Sequence, residues 1–502
     1  MRNSFMGKKE RMKFELFKAI VFAKNGLSFN ELLDTYHLTK STLSRYIHDL
    51  AAEVEDAFED NVHLIQNSHT GTYQIQTEKT FSIGYLIDYI HLFYVQKSGI
   101  FFLLDTLLKK NYPSIDAMAL DMHMSSSSVY KQLRVLKEML IPFGGKISFE
   151  EISSPLIGNE IGVRLFSFYS YWSVFKSTTF DNKNYPEAWL ETKDFEHYFD
   201  HADSLSESQQ AKLRFIQLIT LRRALWQKNY VALSEEFLAD IAYFDNKELE
   251  ILPILKQHVS TEQYHKERAL LLFATRGLIY NLDSPETRKK IVEAYQRSSL
   301  EIAKHTTKLI EEIRIEFDLN YSEEGYTIFY FYLLILLIYI KHITIDISGY
   351  YRNDLSFHSM IDYDEKNVET FQKITTIIQR QEFYPKIKKQ ALNGVISILT
   401  LTLYSGIYLN KKAGSLLICV IFNNNLILAE GIKKIILDVY NHERIIFTSD
   451  VLAADLVISD SYENIDPKTE HFYFDEQLNP EQWGKMIDMI NQIFYRELFL
   501  SL

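Results

Sequence analysis

Two short stretches place hydroxyls and cations side by side at what read as helix starts. In the first, Lys40, Ser41, Thr42, Ser44, Arg45 and His48 lie opposite Leu43, Tyr46 and Ile47. In the second, Ser126, Ser127, Ser128, Lys131 and Arg134 lie opposite Val129, Leu133, Leu136 and Leu140. Such side chains can hold a nucleic-acid duplex: a guanidinium reaches both acceptors on a guanine edge, while ammonium groups and hydroxyls bind phosphates or base edges. A solvated helix face carries similar letters, so the surrounding elements have to decide.

Those elements are of the right kind. From Lys9 to Lys24, Phe14, Phe17, Ile20 and Val21 repeat with helical spacing, and Asn25-Gly26 ends the run. Ser28 caps the segment FNELLDTYH, with Glu31 three residues on as a capping box. Thr39 opens a third helix over 40–58, and strands over 62–66 and 73–76 flank the turn Asn67-Ser68-His69-Thr70-Gly71. Three helices and a hairpin in that order predict a winged helix-turn-helix over 1–80.

The arrangement recurs over 81–165, each copy spanning about 75 residues. Residues 83–111 read as helical, Ser114 caps IDAMALDMHM, and the serines from Ser125 to Ser128 open a helix reaching Ile141. Gly144-Gly145 breaks it, and a second wing is expected from 146–151 and 156–158 around Ser153-Ser154-Pro155.

Beyond this the chain changes character. Almost everything from Ile161 to Tyr408 reads as helix, in two comparable blocks separated near 281–298. From Ser415 strands alternate with helices: LLICVIF, a helix over 427–440, RIIFTS, DLVISD, HFYFD and a terminal helix from Pro480. That alternation predicts a small α/β domain with a partly parallel sheet.

Composition narrows the function classes. At 502 residues, with 47% hydrophobic and 24% charged residues, the chain should fold into several domains. No GxGxxG or GxxxxGK[ST] occurs, which removes the glycine-rich dinucleotide and phosphate cradles. The single cysteine, Cys419, excludes an intramolecular disulfide and a cysteine-based zinc site. His258 and His265 lie seven apart, with no carboxylate spacing to complete a metal site, so neither a metal nor another cofactor is expected. No catalytic constellation emerges either; the chain reads as a non-enzyme.

The start, MRNSFMGKKERMKFE, is charged where a secretory signal needs an apolar core. The most apolar run, 326–340, covers about 22 Å as a helix against a ~30 Å hydrocarbon layer. The expectation is a cytoplasmic protein without a membrane span. The net charge of −12 hides a basic beginning: Met1 to His48 carries nine Lys/Arg (2, 8, 9, 11, 13, 18, 24, 40, 45) against four Asp/Glu (10, 15, 31, 34). An acidic chain with a basic end suits double-stranded DNA held through one part only.

The tandem modules, the stretch SSSSVYKQLRVLKEML and above all LIGNEIGVRLFSFYSYW, from Leu156 to Trp172, resemble the Mga-type virulence and metabolic regulators of Gram-positive bacteria. The order of domains extends the resemblance along the chain. It implies a mainly α multidomain architecture: winged helix-turn-helix modules at 1–80 and 81–165, all-α PRD-like domains at 166–288 and 289–410, and an α/β EIIB-like domain at 411–502. PRD-like domains resemble those phosphorylated by the sugar phosphotransferase system. The implied function is a DNA-binding transcription regulator, an activator by expectation, tuned by a transient phosphocarrier partner and dimeric through its C-terminal domain.

Two departures bear on that. The Asp-His motif of regulation domains, followed by Ala and Arg on one helix, has only Asp200-His201 as its nearest fragment. EIIB enzymes keep a nucleophilic cysteine in the loop after the first strand; here that loop is Asn423-Asn424-Asn425, and Cys419 lies inside the strand, where a thiol is inert. The resemblance places phosphosites in the two helical blocks, which makes His201 and His265, then His305 and His342, the phosphoacceptor candidates, and the α/β domain is expected to bind rather than catalyse. The terminal helix, with Ile487, Ile490, Phe494 and Leu498 at helical spacing, is the expected dimer surface unless it only covers its own sheet. A phosphotransferase-type sugar-operon activator or antiterminator, and a scaffold with degenerate helix-turn-helix modules, remain the alternatives.

Overall fold

A computed structural model of the chain describes residues 2–150, 155–176, 193–345, 365–383, 392–410, 415–422, 426–441, 444–461, 469–474 and 480–500. The expected Ser153-Ser154 turn, the asparagine loop 423–425 and the side chain of Leu498 lie outside them. The chain forms two compact units: Met1–Thr307 with Tyr330–Asn353 and Lys386–Val395, and Lys308–Phe329 with Asp354–Pro385 and Ile396–Leu502.

The first unit opens with α1 (Lys8–Phe22), α2 (Phe29–Tyr36) and α3 (Lys40–Ala57), then the antiparallel hairpin of β1 (Val62–Gln66) and β2 (Tyr73–Thr77). Phe14, Phe17, Leu32, Leu43, Leu50 and Val54 form its interior. Ser28 and Glu31 make the predicted capping box, each side chain bonding the other's backbone N–H. The turn of the hairpin is held by Asn67, whose side-chain oxygen accepts from the N–H groups of His69 and Thr70, and by Gly71 at φ +69°.

The stretch 83–111, read as one helical segment, is two helices: α4 (Ile83–Gln96) and α5 (Gly99–Lys109). Lys97-Ser98 breaks the run, and both helices bury an apolar side. A continuous helix would have required those two sides to follow one axis. α6 (Ile115–Asp121) and α7 (Ser126–Leu140) follow, and then the second hairpin, β3 (Gly145–Ile147) with β4 (Leu156–Gly158). Its first strand pairs over three residues, shorter than the sequence suggests.

The rest of this unit is helical: α8 (Glu160–Phe175), the short α9 (Lys193–Glu196), α10 (Glu207–Leu221), α11 (Glu235–Ile241), α12 (Pro253–His258), α13 (Thr261–Leu278) and α14 (Pro285–Arg297). The stretch read as a separator, 281–298, is itself largely α14, capped by Ser284. α10 runs on into one π-helical turn, Arg222–Trp226, a local widening that often marks a functional position. α15 (Glu301–Glu316) and α16 (Glu323–His342) come next. α16 is long and apolar enough to cross a membrane, yet just over half of its apolar stretch is buried inside the protein.

The second unit contains α17 (Glu365–Gln379), most of α18 (Leu392–Asn410) and a four-stranded sheet. Its strands are β5 (Leu416–Ile421), β6 (Ile445–Phe447), β7 (Leu456–Ser459) and β8 (Glu470–Tyr473), in the order β6-β5-β7-β8, every pairing parallel. α19 (Leu426–Val439) and α20 (Pro480–Leu500) pack Ile432, Ile436, Met486 and Ile490 against Leu416, Ile418, Leu456 and Ile458. The apolar stripe of the terminal helix is thus used at home: Ile490 is fully buried, Phe494 nearly so, and Ile487 packs on the same core. The expectation that this stripe forms a dimer surface is corrected, because a parallel sheet buries both faces and needs the helix as cover. Cys419 is buried in β5, on the side of Val457 and Ala454.

Candidate nucleic-acid interface

α2 and α3 meet through a tight turn. His37 takes the left-handed conformation (φ 50°, ψ 40°) that ends α2, and the Thr39 hydroxyl caps α3 by accepting from the N–H of Thr42. Leu43, Ile47, Leu50 and Val54 point inward; Lys40, Ser41, Ser44, Arg45 and His48 are exposed and Thr42 is half-buried.

The second module repeats this residue by residue at one constant offset. Ser114 caps α6 as Ser28 caps α2, and His123 takes the left-handed turn conformation (φ 53°) where the first module has His37. Ser125 caps α7 from the N–H of Ser128 as Thr39 caps α3. Val129, Leu133, Leu136 and Leu140 are buried in the places of Leu43, Ile47, Leu50 and Val54. An outward face of Ser127, Tyr130, Lys131 and Arg134 results, with Ser126 and Ser128 half-buried.

The lysines and arginines of the two faces are not paired with the protein's own carboxylates among the described residues, although His48 lies 3.9 Å from Asp49. Lys40, Arg45, Lys131 and Arg134 form no ion pair among the described residues; Arg45 only lies over the neighbouring Tyr46 ring at 5.6 Å. Two of the basic residues counted in the sequence are spent internally: Lys13 is buried against Glu53, and Lys18 pairs with Glu15. Glu53 also accepts from the Tyr94 hydroxyl, whose proton is held far above the ordinary tyrosine range by burial and by that carboxylate. Ser126 has a structural bond as well, its hydroxyl donating to Asp116 of α6 at 2.7 Å. Sequence reading missed Tyr130, which occupies the place of Ser44; continuing the helical spacing from Ser127 through Lys131 to Arg134 would have found it.

The second module is joined to the helices beyond it by buried charge. Asn159 caps α8, its side-chain oxygen accepting from the N–H of Gly162. Glu160 bonds Arg164 one turn on and Arg223 of the π-helical turn. Arg164 forms two bonds to Glu267 of α13, and Arg223 also donates to the Leu156 carbonyl in β4 at 3.0 Å. Burial opposes the charge on Arg164, but the Glu267 and Glu160 carboxylates outweigh it and hold its proton above the usual arginine range. Gly162 is required by contact: a Cβ there would lie 1.8 Å from the Phe143 carbonyl oxygen. Gly158 sits at φ +120°, a conformation that L side chains rarely adopt.

Residues 85–172 match the Mga helix-turn-helix domain. The match runs from α4 through the outward face of α7 to the aromatic end of α8, and it includes the Gly158-Asn159-Glu160 segment and Arg164. Arg223 and Glu267, which receive the charges of the Mga domain, lie outside the match. A comparison with curated proteins finds no match for the chain. A match to a helix-turn-helix domain of this kind suggests a DNA-binding transcription regulator.

The candidate histidines are dispersed. His201 is half-buried, its Nδ1 2.8 Å from the Asn281 carbonyl oxygen. Beside it, burial pushes the Asp200 carboxyl up, but hydrogen bonds from Lys247, Thr287 and Ser284 outweigh this and hold it well below the usual range. His265 is exposed on α13 and borders an open groove of about 720 Å³ with Lys247, Lys256 and Arg268. His305 is half-buried on α15. His342 is enclosed, with Nε2 2.7 Å from Asp240 and its ring stacked on Phe237 at 4.4 Å. No group of three or more His, Cys, Asp or Glu among the described residues is arranged to hold a metal ion.

Proposed function

We propose that this chain is a cytoplasmic transcription regulator, not an enzyme, that binds duplex DNA through both N-terminal modules. One observation carries the reading: α3 and α7 present equivalent outward faces, and neither pairs its two cations with a carboxylate among the described residues. Unpaired cations on an exposed helix face give up no partner when phosphates arrive, and each phosphate contact releases counterions. A mobility-shift titration of the full chain on random-sequence duplex, across a salt series, tests this. Affinity should fall steeply and linearly on a log-log plot; weak binding with a flat salt response would favour a scaffold whose modules no longer hold DNA.

Control is assigned to the helical middle, read as two PRD-like domains in which a phosphocarrier protein phosphorylates histidine. A phosphoryl group adds about two negative charges near neutral pH, enough to repack a helical interface. His265 fits best on access alone: its ring is exposed at an open groove whose cations, Lys247, Lys256 and Arg268, are already paired with Asp200, Glu250 and Asp245. The C-terminal α/β domain is read as a non-catalytic EIIB relative that forms the homodimer, through a surface other than the buried stripe of α20.

A further inference from the structure

Tyr130 stands out on the second recognition face. It is 57% exposed, and no ring contact or hydrogen bond from its side chain is found among the described residues. The ring stands one position before Lys131 and one turn before Arg134, with Ser127 one turn earlier on the same outward side. The equivalent position of the first module holds Ser44, also exposed. A large apolar ring left in water on a DNA-facing helix is stabilised by any contact that dries it. In a major groove the apolar feature on offer is the C5-methyl group of thymine. Serine at the same place presents a hydroxyl and too little surface to cover a methyl group.

Resting on the DNA-binding reading above, we propose that Tyr130 reads a thymine methyl group, so that the two modules differ in base preference at this position. The test uses the full chain. Sites are first selected from randomised duplex, and each thymine of the preferred site is then replaced by deoxyuridine, which removes only the methyl group. The ratio of thymine to deoxyuridine affinity is read, because phosphate contacts cancel in it. At one position the native chain should bind thymine about four-fold more tightly, the value of one buried methyl-sized group. Tyr130→Phe keeps that ratio, since it removes only the hydroxyl, whereas Tyr130→Ser brings it to about one.

A ratio that survives Tyr130→Ser, that vanishes in Tyr130→Phe, or that is flat at every thymine of the native site overturns the proposal. The double variant Lys131→Ala/Arg134→Ala should weaken thymine and deoxyuridine duplexes together. Salt-dependent binding with a flat thymine response sinks the Tyr130 assignment alone. Absence of salt-dependent binding sinks the DNA reading with it.

Discussion

Arg223 and Glu160, 63 positions apart in sequence, form a buried bidentate pair: Nη2 lies 2.6 Å from Oε2 and Nε 3.0 Å from Oε1. Arg223 is wholly enclosed and bonds the wing strand at Leu156 as well. The wing of the Mga domain is therefore held by a residue that the domain does not contain. Replacing Arg223 with methionine leaves the Glu160 carboxylate with only Arg164 in a largely enclosed site. Breaking a buried pair in this way costs about 3–5 kcal/mol. A clear fall in the first thermal transition is expected, and Glu160→Gln in the same background should recover part of it, since the stranded charge is then gone.

The cations of the two faces should affect binding and leave folding alone. Lys40→Ala/Arg45→Ala, and separately Lys131→Ala/Arg134→Ala, should each weaken duplex binding and reduce the log-log salt slope by about 0.9 for every phosphate no longer neutralised. Exposed substitutions of this kind change stability by under about 0.5 kcal/mol, so circular dichroism should match the native chain. Unchanged affinity in both double variants would move the interface away from α3 and α7.

Gly162→Ala is expected to be far more damaging than its size suggests. The added methyl meets the Phe143 carbonyl, a backbone atom that cannot rotate away. Overpacking of this kind costs about 1–3 kcal/mol, measurable as a lowered denaturation midpoint. Ile161→Ala, one residue earlier on α8 and half-buried, supplies the control for a general effect of altering the helix start.

Phosphotransfer should discriminate among the histidines by access. Incubation with the general phosphocarrier protein, its kinase and phosphoenolpyruvate, followed by acid-labile phosphate mapping, should label His265 before His201 or His305. His342 should stay unlabelled in the native chain, because Asp240 occupies its Nε2 and Phe237 covers its ring. Label on His342 alone would place the switch at that enclosed pair instead.

The first hairpin should respond to pH near neutrality. His63 of β1 is held above its ordinary value chiefly by the hydrogen bond to Glu55 of α3, with Nδ1 3.1 Å from the carboxylate. Because the folded value is the higher one, the contribution is fully present below about pH 6.5. It is lost as pH rises through the folded value. Hydrogen exchange of the β1 and β2 amides, corrected for intrinsic rate, should show protection falling as pH rises above about 6.5. His63→Gln should remove that dependence.

Much of the local architecture was legible because it rests on local chemistry. Ser28 with Glu31, Thr39, Ser114 and Ser125 announce helix starts through side chains that reach only three residues ahead. Leu43 to Val54 and Val129 to Leu140 announce buried sides through spacing alone. Spacing also showed the second module and the exposed cations of both faces, and the apolar run LLICVIF the buried position of Cys419. The break between α4 and α5 was not legible, since Lys97-Ser98 carries no strong stop and the division depends on where the two helices pack.

What the sequence by itself determined is the set of elements and the chemical type of the outward faces, because periodicity and capping act within a few residues. Only the tertiary structure decided how charges were shared out. Lys13 and Ser126, read as available, are held by Glu53 and Asp116; Arg164 and Glu160 are tied to Glu267 and Arg223; and the terminal helix spends Ile490 on its own sheet. The partners in those bonds lie between ten and more than a hundred positions away. No local pattern encodes which distant residue a folded chain brings within hydrogen-bonding reach.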